Sequence, residues 1–443
     1  MIGILGGGLA GLAAAHQLEN AGRKDYVVLE KNDEPGGLSR SWSENGYTFD
    51  YGPHIIYTRD EHAMQLFRTF LKRNLTRQTR QNYIWLYKTL VKYPFETFLH
   101  GLPPRVVLEC LEGVIDARNR CSTETPANFR DWVLATFGEG IARHYFIPYN
   151  LKVWKHPLEK MGIDWIAGRV PSPDLKDMLR GALGVQDREF GPNAMFQYPV
   201  RGGIGSLPAS MASGLGRLRT GCEVTGISSK GTGLEVAFRS GGGQEKMRFA
   251  AVISTLALPD IVKLLEDVPS AVADAARRLV FTRLLCMGIG VKRPAISDKH
   301  SIYYPEKELL FNRISFPMNM AISTAPKGHS SVLVEVTYRQ DDRVDPRRAG
   351  PRILSDLVKA GVLRGSDRIE YSSVRTYDHG YVVYDLEHRK NVDTIHRHLR
   401  EIGIIPAGRF GEWEYLNMDR SMLSGERAAS EAIARAAFGP ARA

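Results

Sequence analysis

Gly6, Gly8 and Gly11 stand in G-x-G-x-x-G spacing within "MIGILGGGLAGLAAAHQLENAGRKDYVVLEK", and Glu30 follows nineteen residues after the last of them. Residues of these types at this spacing bind a dinucleotide. A glycine at the first position permits a tight turn, one at the second lets backbone approach a pyrophosphate, and one at the third lets helix and strand pack closely. The unpaired N–H groups and positive end of the following helix face the phosphates. An acid at the end of the next strand accepts hydrogen bonds from a ribose. The flanking residues supply the context the glycines need. Ile2 to Leu5 reads as a buried strand, the Ala/Leu-rich run to about Asn20 as a helix, and "DYVVLEK" as a second strand.

After Glu30 the chain continues "KNDEPGGLSRSWSENGYTFDYGPH". Gly36 and Gly37, followed by Leu38, Ser39 and Arg40, form a second close-approach loop with a cation beside it. His54 ends the stretch, and an imidazole there serves as a core residue, a catalytic base or a contact to a cofactor ring. No metal is expected: the four cysteines (Cys110, Cys121, Cys222, Cys286) form no CxxC and no cluster with histidine, and His54 has no second ligand at useful spacing. The thiols read as reduced, buried groups of a cytosolic protein.

The elements that must position these residues exceed one hydrophobic core, since the chain has 443 residues, and two or three lobes are expected. With 43% hydrophobic and 24% charged residues the composition is that of a globular protein in water. The net charge of +10 suits a phosphate-bearing ligand; the charges are spread with no dense basic run, so nucleic acid is not an expected partner. Met1 to Leu18 is apolar but Gly-rich, without a basic leader or a cleavage site, so neither a signal peptide nor a transmembrane segment is expected and a cytoplasmic location is. The cofactor domain reads as interrupted: residues 1–60 form its first part, 61–190 a mostly helical inserted lobe, 191–265 its second part, 266–400 a sheet-containing substrate domain and 401–443 its third part. "EHAMQLFRTFLKR" and "RVVLECLEGVIDAR" carry the helical signal, while "LEVAFRS", "LLCMGIGVKR" and "SVLVEVTYRQ" carry the strand signal.

The Gly36–Gly37 loop, in its place after Glu30, resembles the second pyrophosphate motif of FAD enzymes with the glutathione-reductase-like fold, above all the amine oxidase and protoporphyrinogen oxidase group. FAD is the cofactor this implies. The implied fold class is α/β: a glutathione-reductase-like FAD-binding Rossmann domain with an inserted helical lobe and an antiparallel-sheet substrate domain. The pieces "YGPHIIYT", "PYNLKVWKHPLEKMGIDWIAGRVPSPDLK", "YPVRGGIGSLP", "LLFNRISFP", "GYVVYDLEHRKN" and "AGRFGEWEYLNMDRSM" occur in the order seen in UDP-galactopyranose mutases, and the resemblance covers nearly the whole chain.

That resemblance implies a nucleotide-sugar substrate and pyranose–furanose interconversion without net redox change, the N5 atom of reduced flavin acting as nucleophile. The flavin must then be reduced, and the chain has no second GxGxxG unit, so NAD(P)H or another reductant would bind transiently or act from outside. The resemblance places His54, Arg313 and Arg409 in catalysis. It assigns Arg169, Arg313, Tyr381, Arg409 and Tyr415 to the substrate, because guanidinium groups fork onto diphosphate oxygens and phenols donate hydrogen bonds without adding charge. It sets His54, Val224, Met418 and Ser421 against the cofactor, together with Gly6, Gly8, Gly11, Glu30, Gly36, Gly37, Leu38 and Arg40. Trp154 and Trp165 read more readily as packing than as stacking partners of a ligand.

One residue departs from the pattern: Val382 stands after Tyr381 where the mutases carry a proline. The competing reading is an FAD-dependent oxidoreductase of amine oxidase, protoporphyrinogen oxidase or desaturase type, acting on a non-nucleotide substrate. Such an enzyme needs an apolar tunnel at the flavin; a mutase needs Arg313, Arg409 and Tyr415 to converge there.

Overall fold

The computed structural model describes residues 1–120, 125–166, 170, 173–186, 188, 190, 194–231 and 233–438. At its centre Ile2–Leu5 is buried along its whole length and pairs in parallel with Tyr26–Leu29 on one side and Ala251–Ser254 on the other. Strands Leu218–Arg219 and Ile404–Pro406 complete a five-stranded parallel sheet. Both faces of a parallel sheet are covered, which is why its strands are continuous apolar runs. Helix Leu9–Asn20 packs on this sheet and against the C-terminal helix Met418–Phe438. Gly425 permits that approach, since a Cβ there would collide with the Ala10 carbonyl. Termini far apart in sequence therefore meet beside the first glycine turn.

A seven-stranded sheet lies beyond it, in the order Ile369–Val382, Phe281–Val291, Ser330–Arg339, Arg313–Ser315, Ser301–Tyr303, Asn82–Leu86, Thr89–Lys92. All its pairings are antiparallel except that of Ser301–Tyr303 with Asn82–Leu86. The architecture is thus the α/β class expected, a Rossmann-like parallel sheet joined to antiparallel sheets.

Helices Glu61–Leu71 and Pro104–Asn119 stand where the periodicity predicts them, and Phe129–Ile141 adds a third. Strands Thr76–Thr79, Asn82–Leu86 and Thr89–Lys92 also occur there, within the stretch read as mostly helical. "GLEVAFRS" and "GQEKMRF" form a hairpin, and the run "KMRFAAVIST" divides at Ala250: its first half stays in the hairpin and its second half enters the parallel sheet.

Candidate active site

The first glycine turn is built as its spacing requires. Gly6 has φ +100°, which a side chain would strain, and a Cβ on Gly11 would collide with the Gly6 carbonyl where helix and strand touch. The Glu30 carboxylate is buried at the end of its strand, accepting from Gly7 N at 2.7 Å and from Asn32 N at 2.9 Å. Gly36 donates its N–H to the Gly7 carbonyl at 2.8 Å, so the second glycine loop lies alongside the first. Leu38 follows in a short 3-10 turn, and Arg40 closes it by donating from Nε to the Gly37 carbonyl at 3.0 Å. A Cβ added to Gly8 would meet no protein atom within 4 Å. Two loops of bare backbone thus flank open space before the helix at Leu9, and the buried Asp419 Oδ1, in the first turn of the helix at Met418, has no hydrogen-bond partner among the described residues. These features fit FAD: a pyrophosphate cradle at one helix N-terminus, an acid for the ribose and an unsatisfied polar atom at a second N-terminus.

Val224 lies at the Glu30 end of this site, because Cys222 N donates to the Glu30 carbonyl at 2.8 Å. Met418 and Ser421 occupy the first turn of the C-terminal helix.

A second group of residues gathers where the antiparallel sheet meets this domain. Arg313 faces Glu335 directly across two antiparallel strands, and also faces Tyr303 on its other side. Its Nη2 lies 2.7 Å from Glu335 Oε2 and 3.2 Å from the Tyr381 hydroxyl. That hydroxyl donates to Glu335 Oε1 at 3.0 Å, and Asn312 Nδ2 donates to the same oxygen at 3.1 Å. Burial opposes the charge on Arg313, but Glu335 and the surrounding tyrosines outweigh it and hold the guanidinium firmly charged. Burial and then Glu335 push the Tyr381 phenol well above its ordinary range, so it stays a neutral donor.

Arg409 comes from outside the antiparallel sheet, on the short helix Gly408–Gly411, whose first glycine has φ +75°. Its guanidinium carbon stands 4.4 Å from the centre of the Tyr415 ring and 5.5 Å from that of Tyr381. Tyr381 and Tyr415 stack with centroids 6.0 Å apart and planes at 11°. Arg409 donates from Nη1 to the Leu416 carbonyl at 3.2 Å, has no carboxylate partner among the described residues, and keeps its buried Nε unpaired. Arg313 Nε is likewise buried and unpaired. Counting Glu335, the cluster carries one net positive charge. Tyr415 is positioned by Tyr384, whose hydroxyl accepts from Tyr415 N and donates to Glu414 Oε2, both at 2.6 Å.

His54 closes the cluster. Its Nδ1 donates to the Gly52 carbonyl at 2.8 Å, leaving Nε2 as an acceptor on the neutral ring. A Cβ on Gly52, at φ +91°, would stand 3.7 Å from Glu335 Oε2. Desolvation, reinforced by the cations of Arg409 and Arg313, pushes His54 down to about 4.

Trp154 is buried and stands edge-on to Tyr381 at 5.9 Å and to Tyr415 at 6.1 Å; its Nε1 donates to Asn150 Oδ1 at 2.8 Å. Trp165 is also buried and donates to the Gly162 carbonyl at 3.0 Å. Arg169 lies outside the described residues. The structure therefore gathers His54, Arg313, Tyr381, Arg409 and Tyr415, and sets Glu30 and Val224 together elsewhere. Asn312, inside the piece "LLFNRISFP" but given no role there, and Glu335, which no motif marked, also belong to the cluster. The signal was a lone acid in the apolar strand "SVLVEVTYR", where it is 2% exposed. Among the described residues no group of three or more His, Cys, Asp or Glu side chains is placed to hold a metal, and no helix is long and apolar enough to cross a membrane.

The model of the family described as flavin containing amine oxidoreductase matches residues 9–433. A curated relative, prolycopene isomerase 1 of an Oncidium hybrid cultivar, is 26% identical over 373 residues, covering 74% of this chain and 62% of its own. The phytoene desaturase (lycopene-forming) of Pseudescherichia vulneris is 45% identical over 53 residues, 12% of this chain and 11% of its own. Among solved structures, reduced UDP-galactopyranose mutase superposes with a TM-score of 0.91 at 28% identity, covering 98% of this chain and 95% of that one. A putative protoporphyrinogen oxidase from Exiguobacterium sp. 255-15 superposes with a TM-score of 0.74 at 17% identity, over 97% and 98% of the two chains, a likeness of fold alone.

Proposed function

The chain belongs to the flavin-containing amine oxidoreductase family, with FAD as its cofactor, and from that premise we propose that it is a nucleotide-sugar mutase interconverting the pyranose and furanose forms of a UDP-galactopyranose-like substrate without net redox change. The observation that carries this reading is the convergence of Arg313 and Arg409 on the stacked pair Tyr381 and Tyr415, with one net positive charge and two unpaired guanidinium N–H groups. Such an arrangement suits a diphosphate, which departs and returns during ring interconversion.

Arg409, free of any carboxylate among the described residues, bears most of the diphosphate charge. Arg313, already half-neutralised by Glu335, adds direction more than attraction. Tyr381, held neutral by burial and Glu335, and the Tyr415 ring beside Arg409 flank the same space, so the anion is oriented without a further cation holding it too tightly to leave. The helix N-terminus at Met418 favours negative charge near it, and neutral His54 offers Nε2 as an acceptor. Reduced flavin supplies a nucleophilic nitrogen when bound, which suits attack on an anomeric carbon.

The curated relatives are named as a prolycopene isomerase and a phytoene desaturase, which favours the oxidoreductase alternative. The paired arginines at the site argue against it, because an apolar substrate would leave the buried Nε groups of Arg313 and Arg409 unsatisfied.

The test is anaerobic. The flavoprotein is reduced with dithionite, supplied with UDP-galactofuranose, and its products are separated by chromatography. Conversion to UDP-galactopyranose by reduced but not oxidised protein supports the mutase. Absence of conversion, with a flavin spectrum indifferent to UDP, transfers support to the oxidoreductase.

A further inference from the structure

The helix Ile147–Trp154 brings two rings to the site. Tyr149 meets Tyr303 edge-on at 5.7 Å, and Trp154 meets Tyr381 and Tyr415 edge-on at 5.9 and 6.1 Å. Apolar packing has no direction and lets a helix slide along its neighbours; hydrogen bonds do have direction. Two polar side chains of this helix spend theirs internally. Asn150 donates to the Phe146 carbonyl at 2.8 Å and accepts from Trp154 at the same distance.

Among the described residues, the hydrogen bonds that cross from this helix to the antiparallel sheet and its connections belong to Lys152. Its Nζ donates to the Tyr304 carbonyl at 2.9 Å and to the Glu306 carbonyl at 2.6 Å. Its own carbonyl accepts from the Thr337 hydroxyl at 2.8 Å. Both sets of partners lead to the arginine cluster. Tyr304 and Glu306 open the connection that runs from Tyr303 to Arg313, and those two residues face each other across their strands. Thr337 stands two positions after Glu335 on one strand, and so on the same face of the sheet. The far end of the connection is fixed from outside the site, where Leu310 N donates at 3.0 Å to Asp356 Oδ2 on the helix Pro346–Lys359. Lys152 grips the end beside Tyr303.

Lys152 is 7% exposed, and its Nζ bonds to carbonyls and to no carboxylate among the described residues. Burying an ammonium without an acid is costly, and an uncharged chain of similar shape would fill the same space. What the charge adds is grip, because charge-assisted hydrogen bonds are about twice as strong as neutral ones.

We propose that Lys152 is a positioning residue of the diphosphate clamp. By tying its helix to the Tyr303–Arg313 connection and to the Glu335 strand, it sets Tyr149 and Trp154 at the spacing that keeps Arg313, Tyr381 and Tyr415 aimed at one anion. Its own amine is occupied by the two carbonyls. This rests on the reading of Arg313 and Arg409 as a clamp for a diphosphate.

The tie responds to pH. Burial, and then Lys155 just past the end of the same helix, lower Lys152 to about 7, against Glu306 and Glu308 on the connection and Asp356 on the outer helix. Asp356 is itself paired with Arg352 and Lys359. As pH rises through about 7 the ammonium becomes an amine. Two N–H groups remain for two carbonyls, but without charge assistance.

The experiment is calorimetric titration of FAD-loaded protein with inorganic pyrophosphate from about pH 6 to about pH 8.5, on either side of the Lys152 titration, with melting recorded on the same samples. Wild type, Lys152→Met, Thr337→Val and the double variant are compared. Near pH 6, Lys152→Met is expected to bind pyrophosphate about tenfold more weakly than wild type, and Thr337→Val about threefold more weakly. The double variant should lose little beyond about tenfold, because both ties act through one helix position. Toward pH 8.5 the gap between wild type and Lys152→Met should narrow to about threefold; ionisation of pyrophosphate is common to both and cancels. Lowered melting with unchanged pyrophosphate affinity in both single variants would show ties that only hold the fold, and would overturn the proposal. A gap constant across the pH range would overturn the part given to the charge. Should Lys152→Met fail to fold, Thr337→Val decides, since it keeps the side-chain shape and removes only the hydroxyl: wild-type affinity in that variant overturns the proposal. Failure of wild type itself to bind pyrophosphate overturns the clamp, and the role of Lys152 with it.

Discussion

Arg313 and Glu335 are direct cross-strand partners, 2.7 Å apart from Nη2 to Oε2, in the same register that sets Tyr303 on the other side of Arg313. The pair is largely buried, with Glu335 2% and Arg313 20% exposed at the side chain. Glu335 therefore does two things at once: it compensates a buried cation and lowers the charge offered to an anionic ligand. Glu335→Gln should separate them. Stability is expected to fall by about 2–4 kcal/mol, because the remaining guanidinium is left uncompensated. Pyrophosphate should bind more tightly, since net charge at the site rises. Unchanged melting together with weaker pyrophosphate binding would show that Glu335 contacts ligand instead.

Arg409→Ala removes the guanidinium that has no acid of its own. Two charge-assisted hydrogen bonds to a diphosphate are worth about 3–4 kcal/mol together, so kcat/KM should fall about 100-fold to 1000-fold. Flavin absorbance per protein should stay near the wild-type value, because Arg409's hydrogen bonds run to the Leu416 and Gly380 carbonyls, away from the glycine loops. Activity within about tenfold of wild type would remove Arg409 from the clamp.

Gly8→Val and Gly11→Val look alike in sequence and should behave differently. A Cβ at Gly8 meets no protein atom within 4 Å, whereas one at Gly11 strikes the Gly6 carbonyl. The Gly8 variant is expected to fold, with a normal circular dichroism spectrum, and to purify with little flavin because the side chain fills the pyrophosphate's place. The Gly11 variant should lose stability itself, helix and strand being forced apart. Full flavin occupancy in a well-folded Gly8→Val protein would contradict the cradle.

How much of this was legible depended on how local each signal is. Gly6, Gly8, Gly11 and Glu30 act within one strand–helix–strand unit, and their spacing alone conveys the geometry. The hairpin from Asn82 to Lys92 was not legible because its two-residue turn is Tyr87-Lys88, both at positive φ (54° and 59°), where glycine or asparagine is the usual marker. Glu335 and Tyr303 escaped notice for another reason. Each meets Arg313 through strand register, across 22 and 10 positions of sequence, and register emerges only when the sheet forms.

His54 bears the last prediction, which concerns pH. Its pKa in the folded protein is pushed down to about 4 by desolvation, then by Arg409 and Arg313, against an ordinary value near 6.5. Folding thus favours the neutral ring. Between about pH 6.5 and about pH 4 the unfolded chain takes up a proton that the folded chain refuses, so stability falls as pH drops through that window, by at most about 1.4 kcal/mol per pH unit from this residue. Burial also lowers His300, His388 and His396, which steepens the same limb. Denaturant midpoints measured across the window should decline toward acid, and His54→Asn should make the decline shallower by an amount attributable to one proton. Because His54 is already neutral at pH 7, the activity of wild type should show no ionisation near 6.5 that this variant abolishes. A wild-type limb near 6.5 that disappears in His54→Asn would mean that the ring is charged in the working site, and that its hydrogen bond to Gly52 coexists with a donated proton from Nε2.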